Sequence, residues 1–198
     1  GDVSGDGSLG ELRLYKDLMQ NSGLKFYTVP GNHDVGAGGT SVAYETVIGP
    51  AFYSFDFRGD HFIVVDNADD KTGIDDAQMQ WLDADLAANA SRRHQFIFAH
   101  IPVADPSLPS GHATGEKGGE GLRSGQRLAE DALRYPNVSD YFFGHIHAYF
   151  AYTLGGVNAY ITGGAGAPLY FPENAGGYYH YLLVKVFPDR VDVEVVRI

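Results

Sequence analysis

Gly144-His145-Ile146-His147 decides how the chain is read, because a predicted strand at residues 140–143 runs directly into it. Three other places repeat that pattern. Residues 25–29 read as a short strand ending at Pro30 and opening into Gly31-Asn32-His33-Asp34. Residues 95–99 form a mostly apolar strand that delivers His100, with Ile101-Pro102 halting the extension. The chain itself opens on Gly1-Asp2. Each stretch sets a potential metal ligand where a strand leaves the sheet, the edge at which open α/β sheets bind ligands. The x-separated pair His145 and His147, if extended, points both imidazoles to one face. One histidine alone is an ordinary surface or core residue, and His61, His94 and His180 are read that way.

Working outward, Leu9, Leu12, Leu14, Leu18 and Met19 recur at helical spacing before the stop signal Gly23. Residues 53–57 and 61–66 form a strand pair around Arg58-Gly59-Asp60. A helix over 76–90 has Asp75 as its cap, Gln78 at the reciprocal capping position, and Ile74 facing Met79 as a staple. Met79, Trp81, Leu82 and Leu86 are its expected buried stripe. Residues 125–134 read as a helix, and 149–154, 157–162, 179–187 and 190–197 as consecutive strands. Alternating strands and helices followed by adjacent strands predict a mixed α/β domain, one unit over 1–198.

The chain has 198 residues, 44% of them hydrophobic and 20% charged, which fits a packed domain and not a disordered chain. Its longest apolar stretches, such as 181–187, fall far short of a membrane span. A net charge of −11 argues against a nucleic-acid surface, and it also requires local cations wherever a phosphoester is to bind. With no cysteine, thiolate nucleophiles and Cys-held zinc are excluded, so any metal rests on His, Asp, Glu, Asn or backbone oxygen. No G-x-S-x-G elbow is present for a serine hydrolase.

Taken in order, G-D at the start, G-N-H-D at 31–34, His100 in F-A-H-I-P and G-H-I-H at 144–147 resemble the calcineurin-like metallophosphoesterases. The Y-S-F-D, H-F-I-V-V-D and Q-M-Q-W-L stretches look like its secreted, purple-acid-phosphatase-like members, which favours an extracytoplasmic location. The resemblance implies a four-layer αββα sandwich of two mixed β-sheets flanked by helices. It further implies two divalent ions (Mn, Fe or Zn) and hydrolysis of a small phosphomonoester or phosphodiester by in-line attack of a metal-activated hydroxide. By the same resemblance Asp2 bridges both ions, Asn32, His100 and His145 hold one, and His147 holds the other. His33 assists the leaving oxygen, with Asp34 either orienting it or serving as a turn or cap residue.

The family's first motif, Asp-x-His at the end of the first strand, has no counterpart, since none of the eight histidines has an aspartate two positions earlier. The expectation is a chain that begins after that N-terminal strand and helix, while its closing strand pair matches the family's. One metal position is then furnished (Asp2, Asn32, His100, His145) and one depleted, with Asp2 and His147 alone. A noncatalytic metal- or ligand-binding domain on this scaffold is the alternative to an enzyme. Asp2-x-Ser4-x-Asp6-Gly7 also resembles the start of a calcium loop, although Arg13 stands where a bidentate Glu belongs. The Gly-, Pro- and Ser-rich stretch 105–121, with His112, Glu116 and Lys117, reads as a long loop near the site entrance. The run 163–167 reads as a turn between strands, without the Lys of a P-loop.

Overall fold

The computed structural model describes residues 1–35, 39–69, 73–104, 106 and 119–198, the stretch 119–122 by backbone alone. His112, Glu116 and Lys117 lie outside the described residues.

Six strands form one sheet in the order β1-β2-β3-β4-β6-β5. They are β1 (Tyr53–Phe57), β2 (Asp60–Val64), β3 (Gln95–Phe98), β4 (Val138–Phe143), β5 (Tyr149–Leu154) and β6 (Val157–Thr162). The pairs β2–β3, β3–β4 and β4–β6 are parallel, and the two edge pairings are antiparallel. Strands β7 (His180–Val186) and β8 (Val191–Arg197) make a second, two-stranded antiparallel sheet. The fold is thus mixed α/β, with a six-stranded mixed sheet, a second sheet and flanking helices.

Strand alternation gives the large sheet two different faces. Ile63, Ile97, Tyr141, Phe143, Ala159 and Ile161 are buried in one core with Met79, Leu82 and Leu86 of helix α3 (Asp76–Ala88) and Leu128 and Ala132 of helix α4 (Gly119–Arg134). Each fully buried Leu or Ile here contributes about 1.5–3 kcal/mol. The opposite face carries Phe55, Phe62, Phe96, Phe98, Phe142 and Tyr160, whose rings stack in a row across the strands. Val184 and Val186 of β7 share a 570 Å³ groove with this aromatic face, so the second sheet lies on it.

Most elements follow their sequence signals. Register pairs Phe57 with Asp60, leaving Arg58-Gly59 as a two-residue turn, and both have positive φ (53° and 92°), as a twisted hairpin demands. Asp75 caps α3 by accepting from the Gln78 amide at 2.8 Å. The reciprocal half of that box does not form. Gln78 instead brackets the main chain of Asp66, accepting from its N–H at 2.6 Å and donating to its C=O at 2.9 Å.

Two expectations are corrected. Residues 25–29 join no ladder: the carbonyl of Thr28 accepts from the hydroxyls of Tyr44 and Tyr53, and the Tyr27 ring stacks on Phe55 at 3.6 Å. Side chains anchor that segment, without strand neighbours. Helix α1 (Leu9–Asn21) forms, but of its apolar residues only Leu12 is buried, packed with Tyr44 and Val47 of the short helix α2 (Val42–Val47). The last three residues of the supposed loop 105–121 belong to α4.

The three histidines read as ordinary are satisfied inside the fold. His94 bonds the Ser139 hydroxyl and the Phe187 carbonyl, His180 the Tyr178 carbonyl and the Thr162 hydroxyl, and His61 sits between Asp56 and Asp85.

Candidate metal centre

Parallel pairing of β3 with β4 brings their carboxyl ends side by side, so the residues that leave them are neighbours. The exits are tied by a bond from the Gly144 amide to the His100 carbonyl at 2.8 Å. The His100 and His145 rings consequently meet edge to face, centroids 5.1 Å apart. The turn at Gly31 brings in Asn32, and the N-terminal segment folds over it to bring in Asp2.

His100 is the hub. Its Nε2 lies 3.1 Å from Asp2 Oδ2, 3.1 Å from Asn32 Oδ1 and 3.3 Å from His145 Nδ1. One proton on Nε2 cannot serve three acceptor-type atoms well. A divalent ion can serve all four donors: bonds of about 2.1 Å place neighbouring donors roughly 3.0–3.4 Å apart. Asp2, His100 and His145 each offer a ligand atom within 4.8 Å of the others. The other ring nitrogen, His100 Nδ1, is buried without a hydrogen-bond partner, so this ring has its polar contacts at Nε2. The donor set fits a divalent metal.

Protonation states agree with that fit. Burial opposes ionisation of Asp2, yet the hydrogen bond and charge of His100 and the N–H of His33 hold its carboxyl well below the usual carboxylate range. Burial pushes the His100 imidazole down, towards the neutral form that ligates metals.

Backbone strain is concentrated here. Among the described residues, three non-glycine positions have positive φ, and two of them are Asp2 (56°) and His145 (64°). Non-glycine residues leave the favoured regions at a cost of about 1–3 kcal/mol each, and they persist where surroundings over-determine them. At His145 the backbone leaves β4 through two tight turns, Ile146 N–H to Gly144 C=O and Ala148 N–H to Ile146 C=O, both at 2.7 Å. The pair His145 and His147 is therefore not extended, as its spacing alone suggested. His147 departs from the cluster: its ring stacks on Tyr170 at 4.2 Å and its Nδ1 donates to the Pro168 carbonyl at 2.7 Å.

His33 and Asp34 also part company. The His33 amide donates to Asp2 Oδ1 at 3.0 Å, and its Nδ1 donates to the Gly5 carbonyl at 2.9 Å. A carbonyl only accepts, so Nδ1 carries a proton and Nε2 is left to face outward chemistry. Asp34 does not orient this ring. Its carboxylate is wholly buried and accepts from the amides of Val3, Ser4 and Gly31 and from the Ser4 hydroxyl, at 2.8–3.2 Å. The turn reading of Asp34 is the one the contacts match. These bonds also dispose of the calcium loop, since Asp2, Ser4 and Asp6 turn to His100, Asp34 and the Ser8 amide respectively.

Gly31 is required by close approach. A Cβ there would stand 2.2 Å from Asp2 Oδ1 and 2.3 Å from Asp2 N, and the second of these is main chain that cannot yield. Gly31→Ala is expected to displace Asp2 and lower Mn²⁺ affinity about tenfold or more, with circular dichroism unchanged. Calorimetric titration checks this, and wild-type affinity would contradict it.

Sequence reasoning passed over Asn67 and gave Gln78 and Ser4 other roles, although all three support the site through the main chain. Only position hinted at them: each is a small polar residue beside a strand exit or helix start.

Comparisons with known proteins bear on the family and the fold. A family model described as calcineurin-like phosphoesterase matches residues 1–149. Among solved structures the chain is similar to a dimetal phosphatase from Danio rerio, with TM-score 0.60 and 15% identity, covering 94% of this chain and 74% of that one. It is also similar to GAP50, the anchor in the inner membrane complex of Plasmodium, with TM-score 0.58 and 11% identity, covering 88% of this chain and 62% of that one. Identities this low show the fold alone. No curated protein matches the chain significantly.

Proposed function

Because this chain belongs to the calcineurin-like phosphoesterase family, we propose that it hydrolyses phosphomonoesters or phosphodiesters by in-line displacement at phosphorus. Asp2, Asn32, His100 and His145 hold a divalent ion, and His33 acts on the leaving oxygen. The observation that carries this reading is the convergence of Asp2, Asn32 and His145 on His100 Nε2 within 3.3 Å. When bound, divalent ions (Mn, Fe or Zn) supply Lewis acidity, which acidifies water and offsets charge on phosphoryl oxygens.

The chain's own groups do the rest. Asp2 contributes the one formal negative charge among the four donors, so the neutral Asn and His ligands leave net positive charge for a phosphoryl group despite the overall −11. The Gly5 carbonyl fixes the His33 ring through Nδ1, leaving Nε2 to hold a proton for the departing alkoxide. In this reading Asp34 supports catalysis by fixing the backbone just after Asp2 and just before Asn32. His147 stands as the residue of a second, depleted metal position.

The alternative is a noncatalytic metal-binding domain: His147 is not in the group of donors within 4.8 Å of one another, although its Nδ1 bond to the Pro168 carbonyl leaves Nε2 able to ligate. The fold itself does not discriminate, since it is shared by a protein described as a phosphatase and one described as an anchor. Hydrolysis of p-nitrophenyl phosphate and its bis-ester with added Mn²⁺ separates the readings. His33→Ala is expected to lower kcat about 10²–10⁴-fold with Mn²⁺ affinity retained, and Asn32→Ala to raise the Mn²⁺ requirement. Undiminished turnover in both variants would remove catalysis from this site.

A further inference from the structure

Beyond Ala99, strand β3 runs out of ladder partners. The Val65 amide bonds the Phe98 carbonyl and the Ala99 amide bonds the Phe142 carbonyl, and there the pairing stops. His100 and Ile101 are both buried, and Pro102 follows with no N–H of its own. Two buried amides therefore need acceptors at the very place where a metal ligand is presented.

Asn67, 1% exposed, supplies both. Its Oδ1 accepts from the amides of His100 and Ile101, each at 3.0 Å, and its Nδ2 donates to the Ile101 carbonyl at 2.6 Å. The orientation of the carboxamide is fixed by its partners, because two N–H groups demand an oxygen and a C=O demands the NH₂. The His100 carbonyl is taken from the other side by the Gly144 amide. Both main-chain polar groups of His100 are thus held, and only its side chain projects into the cluster.

Asn67 is itself anchored. The preceding residue, Asp66, has its N–H and C=O bracketed by Gln78, which sits in the first turn of α3 and is buried. A continuous relay runs from α3 through Gln78, the Asp66 main chain and the Asn67 carboxamide to the His100 backbone.

We propose that Asn67 is the positioning residue for His100, its carboxamide setting where His100 Nε2 stands relative to Asp2, Asn32 and His145. The inference rests on the metal-site reading of His100 given above. Donor separations of 3.1–3.3 Å leave little slack, so a shift of the His100 main chain by a fraction of an ångström changes the coordination the cluster offers.

Co²⁺ titration of the whole chain, read by visible absorption, tests it with three variants. Asn67→Leu keeps the shape and removes all three bonds. It is expected to weaken Co²⁺ about ten- to a hundredfold and to alter the band positions and intensities of the bound ion. Asn67→Asp keeps the acceptor for both amides, loses the donor, and is expected to recover part of the affinity. His100→Ala is expected to bind more weakly than either. If Asn67→Leu binds Co²⁺ with wild-type affinity and spectrum while His100→Ala has lost it, the proposal is overturned and the metal site stands. If His100→Ala binds as wild type does, the metal reading fails and the proposal with it. Amide exchange in the metal-free wild type decides the matter should Asn67→Leu not fold. Slow exchange at His100 and Ile101 is expected, and rates equal to those of exposed loop amides would overturn the proposal.

Discussion

Asp34→Ala is expected to lower stability by about 3–5 kcal/mol and, at the same time, to weaken metal binding at a site that Asp34 does not touch. The stability loss follows from its partners. Removing the carboxylate leaves the amides of Ser4 and Gly31 buried without acceptors and that of Val3 partly so, and each orphaned buried donor costs about 1–3 kcal/mol. For a chain this size, that corresponds to a fall in Tm on the order of 10 °C. The effect on the metal follows from position. Asp34 accepts from Val3 and Ser4 on one side and from Gly31 on the other, so it fixes the approach of the two segments that carry Asp2 and Asn32. Asp2 is also held at φ 56°, a conformation that relaxes once its neighbours are released.

The variant that separates charge from shape is Asp34→Asn. Oδ2 accepts from the Gly31 and Val3 amides, while Oδ1 accepts from the Ser4 amide and hydroxyl. Whichever way an asparagine is turned, its NH₂ faces at least one backbone N–H. Asp34→Asn is therefore expected to lose most of what Asp34→Ala loses, although it is isosteric. Thermal melts with and without Mn²⁺ measure both effects. An asparagine variant that melts with the wild type would refute this account of the carboxylate.

That clamp marks where the sequence stopped being legible. Strand exits could be read because a run of apolar residues ending in Gly or Pro is a local signal, and parallel pairing then places His100 beside His145 without further information. The cap at Asp75 was local for the same reason. Asp34 stayed open between two roles because its partners lie about thirty residues away at Val3 and Ser4, while adjacency to His33 suggested a closer one. Asn67 was passed over on similar grounds: its three bonds span 33 and 34 residues. Residues 25–29 have strand composition, but their carbonyl partners are the tyrosine hydroxyls of α2 and β1, which no periodicity encodes. For His145 and His147, a spacing of two predicts a common face only if the backbone is extended, and φ of 64° at His145 breaks that premise. Charged or polar groups that bond main chain across the fold were the recurrent blind spot.

His61 supplies the second large effect, at the other end of the sheet, and this one depends on pH. Its ring is 3% exposed, with Nδ1 2.8 Å from Asp56 and Nε2 2.8 Å from Asp85. Carboxylates only accept, so the ring is placed to donate from both nitrogens, the pattern of an imidazolium. Burial opposes that charge, but the hydrogen bonds and charges of Asp85 and Asp56 outweigh it and raise the His61 pKa above its ordinary value. The other polar groups nearby are Asn89 Nδ2, 3.3 Å from Nε2, and Arg92, which pairs with Asp56. The folded protein thus holds this proton at pH values where the unfolded chain, with a pKa of about 6.5, has released it. Stability from His61 is fully present below pH of about 6.5 and is lost as pH rises through the folded pKa. Near pH 6, His61→Leu is expected to cost about 3 kcal/mol, because the half-buried Asp85 loses its cationic partner and keeps only neutral donors such as the Ser54 hydroxyl. This is the low end of the range for such pairs, since the Asp56 side chain is 44% exposed and keeps Arg92. Urea unfolding of wild type and His61→Leu at pH 5.5, 7 and 8.5 reads the difference directly. It should be largest at the lowest pH and shrink upward. A difference that grows with pH would mean that the ring is neutral in the fold, with one of its two carboxylates protonated in its place.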